Sequence, residues 1–330
     1  MIPIRDTTPS KTVPVVNNTL IGVTILCYLI QIFHADDLMR LVYFYGLVPA
    51  RYTSFEISSY FSIGHQLFSF ISFMFLHGGF WHLLGNIWFL YIFGDNVEDH
   101  LGPYRYLGFY LLCGIASGLF HILFNFRSNV PVIGASGSIA GVMGAYFILH
   151  PRSRILTVIP VLFIPIFVNI PAFFFLGIWF LIQFFKATGS AAGYAGAGIA
   201  WWAHVGGFIS GIGFLKLFSR VPETGVTRMT QQLAGRRKTP RLQVIRASGP
   251  VDGDINLYGA LVITPYEALR GTRKLVNIPW GFHNRLFRVS VPPDTREGNI
   301  LRLQGQGRIA PDGRRGDLML TVKIETPPGG

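Results

Sequence analysis

The chain has few charged residues and almost no cysteine. Only 13% of its 330 residues are charged, whereas 50% are hydrophobic and 15% aromatic, with a mean hydropathy of +0.43. This composition excludes an ordinary water-soluble globule and favours a membrane protein. Its two cysteines, Cys27 and Cys113, both lie in apolar stretches, which excludes a disulfide framework and indicates packing roles. The sequence predicts no cofactor and no metal.

The few charges are unevenly distributed. From Lys216 onward lie 19 of the 28 basic residues and nine of the 16 acidic ones, so this segment carries +10 of the net charge of +12. The asymmetry predicts an apolar membrane body followed by a basic soluble tail. Arg5 and Lys11 precede the first apolar run without a small-residue cleavage site, so we expect that run to be retained.

Six apolar stretches are long enough to be membrane spans, given roughly 17 to 25 residues per crossing. They are Asn18–Phe33, His77–Phe93, Tyr104–Phe124, Val132–His150, Pro171–Phe185 and Ile199–Phe218. Six spans leave the basic tail, the N-terminus and the arginines of the fourth connection on one side, which the positive-inside rule makes cytoplasmic. We therefore expect a multi-pass protein of a bacterial-style inner membrane, with both termini in the cytoplasm.

Two stretches between spans are apolar without forming spans. Residues 35–76 are rich in aromatic residues, which favours the outer membrane interface. Residues 155–170 are short and contain Pro160 and Pro165, which predicts a re-entrant or interfacial segment.

The composition divides the chain into a membrane domain (1–219), a linker (220–253) and a small soluble all-β sandwich domain (254–330). The linker contains the basic run GRRK, close enough to the membrane to attract anionic lipid. The last region has short alternating runs separated by the turn clusters PPDTREG and PDGRRGD.

Polar residues inside apolar spans need a reason. His82, Ser136 and His204 lie on three different spans, each roughly 6 to 8 Å from the outer end by helical rise. The fourth span also contains glycines at spacings of three and four, and so does the sixth. Small residues at such spacing let two membrane helices approach closely. The sequence therefore predicts a serine and a histidine within reach of each other.

A serine becomes a nucleophile when a base takes its proton, and neutral histidine suits that role. We predict a Ser136–His204 dyad, since the nearest carboxylates lie beyond the far end of the second span. His82 and Asn86, four residues apart on one helix face, are the predicted oxyanion donors.

Two further residues are accessory candidates, His77 and Gly134. His77 lies at the mouth of its span, where an interfacial role competes with a catalytic one. Each polar residue alone is better explained by hydrogen bonding between helices, and their conjunction at one depth favours the catalytic interpretation. Ser138, which faces elsewhere, is predicted to be structural.

At these residues the sequence resembles the rhomboid family of intramembrane serine proteases. The matching stretches are FLHGGFWHLLGNIWFLYIFG from Phe75, GASGSIAGVMGAY from Gly134 and AHVGGFISG from Ala203. The resemblance implies a six-helix bundle, Ser136 as nucleophile, His204 as base and cleavage of transmembrane protein substrates. Two departures are Ala140, where some members have a tyrosine beneath the histidine, and a first loop without a Trp-Arg pair.

The tail resembles the C-terminal substrate-binding domain of the DnaJ (Hsp40) co-chaperones. The matching stretches are EALRG from Glu267, VPPDTREGNILRLQGQG from Val291 and GDLMLTVKIE from Gly316. No J-domain motif accompanies them. The resemblance implies binding of unfolded or apolar peptide segments, with a solvated appendage as the alternative. The positive charge lacks an aromatic platform for nucleic acid, so anionic lipid is the expected partner.

Two other classes of protein compete with the protease. One is a non-catalytic membrane adaptor that binds transmembrane helices, which would be expected to lack a nucleophile or base. The other is a transporter, but the sequence has no evident duplicated half.

Overall fold

The computed structural model contains an α-helical region followed by small β-sheets. It describes residues 1–8, 10, 12–34, 37–161, 164–191, 200–220, 242–245, 254–280, 283–309 and 313–325. Most of the predicted linker (220–253), including the GRRK run, lies outside the described residues.

Helices make up most of the first two thirds of the chain, and strands make up most of the last third. The helices are α1 (Val15–Phe33), α2 (Leu38–Tyr45), α3 (Ala50–Thr53), α4 (Phe55–Ser58), α5 (Ile63–Ser72), α6 (Phe80–Leu101), α7 (Pro103–Phe124), α8 (Ser136–Leu149), α9 (Ala172–Ala191), α10 (Trp201–Arg220) and α11 (Pro265–Arg270). The strands are β1 (Ile2–Asp6), β2 (Arg154–Val161), β3 (Ile164–Pro171), β4 (Leu242–Val244), β5 (Leu257–Ile263), β6 (Thr272–Trp280), β7 (His283–Val291), β8 (Ile300–Leu303) and β9 (Leu318–Ile324).

A helix occupies each of the six predicted spans, namely α1, α6, α7, α8, α9 and α10. Among the described residues, α1, α7 and the Ala172–Gly189 part of α9 are long and apolar enough to cross a membrane by themselves. A fourth span results if Ile63–Phe75 and α6, which meet at 83°, are counted as one. Helix α8 has 14 residues, or about 21 Å by helical rise, less than the roughly 30 Å of a hydrocarbon core.

Two helices begin later than the predicted spans, and the backbone of Gly134 explains one of these differences. The fourth span was expected from Val132, but α8 begins at Ser136 because Gly134 has a φ of 122°, outside the helical region. The second span was expected from His77, but α6 begins at Phe80 after an extended Gly79. Ser136 therefore lies at the start of its helix.

The segment before α6, which was predicted to lie in the membrane interface, folds into α2 to α5 and a 3₁₀ turn at Phe73–Phe75. Its inner residues Leu47, Phe73 and Met74 form a buried cluster with Val132. Leu47 and Val132 also pair as an isolated antiparallel bridge. This segment thus fixes the chain that leads into α8.

Helix α8 is at the centre of the helical region. Every residue from Gly137 to Tyr146 is buried, and α8 packs against α6, α7, α9 and α10. A Cβ added to Gly207 would collide with the carbonyl of Gly137, and one added to Gly211 with the carbonyl of Gly141. The prediction that glycines bring the fourth and sixth helices into backbone contact is confirmed.

Residues 155–161 and 164–170, within the segment predicted to be re-entrant or interfacial, lie in strands β2 and β3, which are neighbours in one sheet. β-Branched residues favour the extended chain, and Pro160 lies beyond Val158, the last residue that pairs with β1. The strand order is β1-β2-β3. These strands belong to one compact unit of Met1–Thr12, Ser153–Ile170 and Gly235–Gly330, while Val13–Arg152 and Pro171–Ala234 form the other.

The C-terminal strands form two sheets, β4-β6-β7 and β5-β9-β8, which share one apolar core. Helix α11 is held by a capping box between Thr264 and Glu267, whose carboxylate also pairs with the buried Lys274 at 2.5 Å. On β6, the buried Asn277 donates through Nδ2 to Oδ1 of Asn169 in β3 at 3.1 Å.

The contact between α8 and α10 predicts that alanine substitutions at two glycines of α10 differ in their effect on stability. Gly211→Ala should lower stability by about 1–3 kcal/mol, because the new methyl group overlaps the Gly141 carbonyl. Gly213→Ala is the matched control, since nothing lies within 4 Å of its added Cβ, and stability should be unchanged or slightly raised. Thermal unfolding of the full chain in detergent measures both, and equal midpoints would contradict the assignment.

Candidate active site

A sharp turn places Ser136 at the first position of α8. The N–H of Gly134 donates to the Phe73 carbonyl at 2.8 Å, and the positive φ of Gly134 turns the chain into the helix. The N–H groups of a first helical turn have no partner within the helix. Ser136 therefore combines a half-buried hydroxyl with a backbone N–H that can donate to a ligand.

Ser136 and His204 are within hydrogen-bonding distance. Oγ of Ser136 lies 2.8 Å from Nε2 of His204 on α10. The glycine contacts between α8 and α10 hold the two backbones close enough for these short side chains to meet. Both side chains are half-buried, so the pair borders accessible space.

The other imidazole nitrogen of His204 is also engaged. Nδ1 lies 2.8 Å from Oε1 of Gln183, a buried residue of α9. A carbonyl oxygen only accepts hydrogen bonds, so Nδ1 carries the proton and Nε2 presents its lone pair to Ser136. The rings of Trp179 and Trp201 lie 6.0 Å from the imidazole.

His82 and Asn86 of α6 approach the same turn. The N–H of Gly78 donates to Nδ1 of His82 at 3.3 Å, which leaves the proton of a neutral ring on Nε2. An added Cβ on Gly134 would lie 2.8 Å from that Nε2 and 3.7 Å from Nδ2 of Asn86. Nδ2 of Asn86 is buried and finds no hydrogen-bond partner in the described part of the chain. Two donors thus lie beside the backbone that precedes Ser136.

The accessory candidates occupy different places. Gly134 forms the turn itself, and its missing side chain leaves room for His82. His77 is buried before α6, where its backbone N–H donates to Gln31 at 2.9 Å and its carbonyl accepts from Gln31 at 3.1 Å. Its ring is 5.0 Å from that of His82. Ser138 is turned away from the dyad, with its Oγ 3.5 Å from the Met74 sulfur.

Sequence reasoning missed both glutamines, Gln31 and Gln183. A signal for each was present, because a single polar residue within an apolar span indicates a buried partner. Gln183 is the only residue with a side-chain amide in the apolar run FLGIWFLIQFF. Its partner, His204 on another helix, could be identified only from the structure.

Comparison with known proteins assigns both regions. Residues 64–221 match the rhomboid domain, and residues 251–327 match the DnaJ C terminal domain. The chain contains a rhomboid domain. A DnaJ C-terminal domain follows it, in the region of small β-sheets. The rhomboid domain and the apolar helices together support a multi-pass membrane protein.

Three relatives illustrate the range of this similarity. The rhomboid region is 34% identical over 92 residues to Rhomboid protein 1, mitochondrial, of Saccharomyces cerevisiae, covering 27% of each chain. It is 33% identical over 81 residues to Inactive RHOMBOID-like protein 8 of Arabidopsis thaliana, covering 24% of this chain and 22% of that one. The tail is 41% identical over 39 residues, or 12% of this chain and 48% of the relative, to Chaperone protein DnaJ 1 of Streptomyces albus G. The rhomboid matches thus span about a quarter of these relatives' length.

The hydrogen bonds in the rhomboid domain predict opposite tautomers for two histidines. At neutral pH, Nδ1 of His204 should be protonated and Nδ1 of His82 unprotonated, because the first donates to Gln183 and the second accepts from Gly78. Nitrogen NMR of histidine-labelled protein in detergent measures this, with His82→Gln and His204→Gln spectra assigning the signals. The same tautomer at both positions would contradict the geometry.

Proposed function

We propose that the protein is a rhomboid-type serine endopeptidase that cuts peptide bonds in or beside transmembrane segments of other membrane proteins. The observation that supports this most directly is the 2.8 Å contact between Oγ of Ser136 and the unprotonated Nε2 of His204. A hydroxyl whose proton has an acceptor in place is an activated nucleophile.

The proposed reaction has two steps. Oγ of Ser136 attacks the scissile carbonyl carbon while its proton passes to Nε2 of His204. The C–N bond then breaks, His204 gives that proton to the leaving amine nitrogen, and an ester remains on Ser136. Water, deprotonated by the same imidazole, hydrolyses the ester and restores the hydroxyl.

The developing oxyanion has three proposed donors. They are Nε2–H of His82, Nδ2 of Asn86 and the backbone N–H of Ser136, which starts a helix with its positive dipole end. An unpaired buried amide such as that of Asn86 costs free energy in the resting protein. Binding a charge that forms only during the reaction compensates for that cost.

The alternative is a non-catalytic adaptor that binds transmembrane helices. The similarity to a relative named as an inactive rhomboid-like protein makes this a concrete competitor. An adaptor has no need for a serine, a base and oxyanion donors converging on one turn. The geometry at Ser136 therefore favours the enzyme.

We propose an inner-membrane location with both termini in the cytoplasm. One compact unit gathers Met1–Thr12, Ser153–Ile170 and Gly235–Gly330, which contain most of the basic residues that the positive-inside rule puts on the cytoplasmic side. The DnaJ C-terminal domain would then meet unfolded or apolar peptide segments in the cytoplasm.

Loss of the nucleophile or the base should abolish activity. Ser136→Ala and His204→Ala are expected to lose labelling by a serine-directed fluorophosphonate and cleavage of a transmembrane substrate, while remaining folded. Ser138→Ala is the control, because Ser138 contacts Met74 and should be labelled like wild type. Labelling that persists in Ser136→Ala, or absence of labelling in folded wild type, would favour the adaptor.

Removing one oxyanion donor should slow the chemical step without preventing folding. Asn86→Ala is expected to lower kcat by about 100- to 1,000-fold. Stability should be kept or raised, since the lost amide donor has no partner among the described residues. Steady-state cleavage kinetics together with thermal unfolding test this, and a loss of stability with unchanged kcat would make Asn86 structural.

Peptide binding by the tail is measurable on the intact protein. Hydrogen exchange of the full-length Ser136→Ala variant, with and without an apolar unfolded peptide, should show protection confined to residues 254–325. Unchanged exchange there at saturating peptide would identify the domain as a solvated appendage.

A further inference from the structure

Gln183 occupies a position where an amide needs a specific partner. It lies on the buried face of α9 with Leu176 and Ala187, while its neighbours Ile182 and Phe184 are exposed on the apolar outer face. A buried amide without a hydrogen bond is costly, and its described contact is Nδ1 of His204 at 2.8 Å. The packing of α9 therefore directs this side chain at the imidazole.

That contact decides which imidazole nitrogen is the base. With Oε1 of Gln183 as acceptor, the ring proton stays on Nδ1 and the lone pair of Nε2 faces Ser136. In the opposite tautomer the Gln183 amide would have to turn its NH₂ group toward Nδ1, and Nε2 of His204 would donate to Ser136 instead of accepting its proton. Only the first tautomer can activate the serine.

Two features around His204 indicate that Gln183 is the residue that fixes its tautomer. Position 140, one turn after Ser136 on α8, is an alanine, too small to support the imidazole from below. Trp179 and Trp201 approach at 6.0 Å between ring centroids, so they confine the ring without fixing its proton. We propose that Gln183 is a positioning residue that fixes the tautomer and orientation of His204, a role that rests on the proposed protease function.

The test measures the rate constant of fluorophosphonate labelling as a function of pH in full-length protein. Gln183→Leu keeps the side-chain size but removes the acceptor, and labelling should slow by about 10- to 100-fold, as when an orienting partner of histidine is removed. Thr188→Val, which removes a polar side chain from the exposed face of the same helix, should leave the rate unchanged.

Gln183→Glu separates positioning from packing. A carboxylate only accepts hydrogen bonds, so it keeps the proton on Nδ1, and its charge also stabilises the protonated ring. Labelling at high pH should recover to near wild type, and the acidic limb of the profile should move to higher pH. His82 and His121, the other titratable side chains that interact with His204, are the same in all variants.

The outcomes distinguish the two proposals. If wild type is labelled but Gln183→Leu labels within twofold of it at every pH, Gln183 has no positioning role. If Gln183→Glu is as slow as Gln183→Leu with an unmoved acidic limb, the amide is merely structural. If folded wild type itself is not labelled, the protease function fails, and this inference fails with it.

Discussion

Backbone contact between α8 and α10 is the constraint on which the candidate site depends. The side chains of Ser136 and His204 are short, so they meet only because the two helix backbones are close. The carbonyls of Gly137 and Gly141 occupy the space that side chains at positions 207 and 211 of α10 would fill. In a bilayer, apolar side chains gain little by meeting each other, so close packing and hydrogen bonds supply the attraction between helices. The same glycines thus contribute both to helix packing and to the contact between Ser136 and His204.

The turn before α8 is the second feature on which the candidate site depends. Gly134 departs from helical geometry and is tied to Phe73, so α8 starts inside the protein with its first N–H groups unpaired within the helix. A continuous span through this region would have buried those groups in its own hydrogen bonds. The short α8 therefore ends within the protein, and its positive dipole end lies at Ser136.

Sequence reasoning located the helices and the polar residues but not their exact junctions. The helices at the six predicted spans and the glycine contacts follow from hydrophobicity and spacing, which act locally. The start of α8 at Ser136 depends on the bridge between Leu47 and Val132, residues far apart in the chain. Strand β2 depends on its pairing with β1, and the contact of Gln183 depends on His204 of another helix. Such long-range partners leave no periodic signal.

A neutral amide beside His204 follows from the cost of burying charge. Elsewhere in this domain the buried carboxylate Glu98 accepts from the backbone N–H groups of Val16 and Asn17 at the N-terminus of α1, at 3.1 and 2.7 Å. A carboxylate at position 183 would need comparable compensation on the buried face of α9. An amide oxygen selects the tautomer without that penalty. In the proposed reaction the cost would be weaker support for the imidazolium that forms when Ser136 loses its proton, so the oxyanion donors proposed on α6 would supply more of the stabilisation of the transition state.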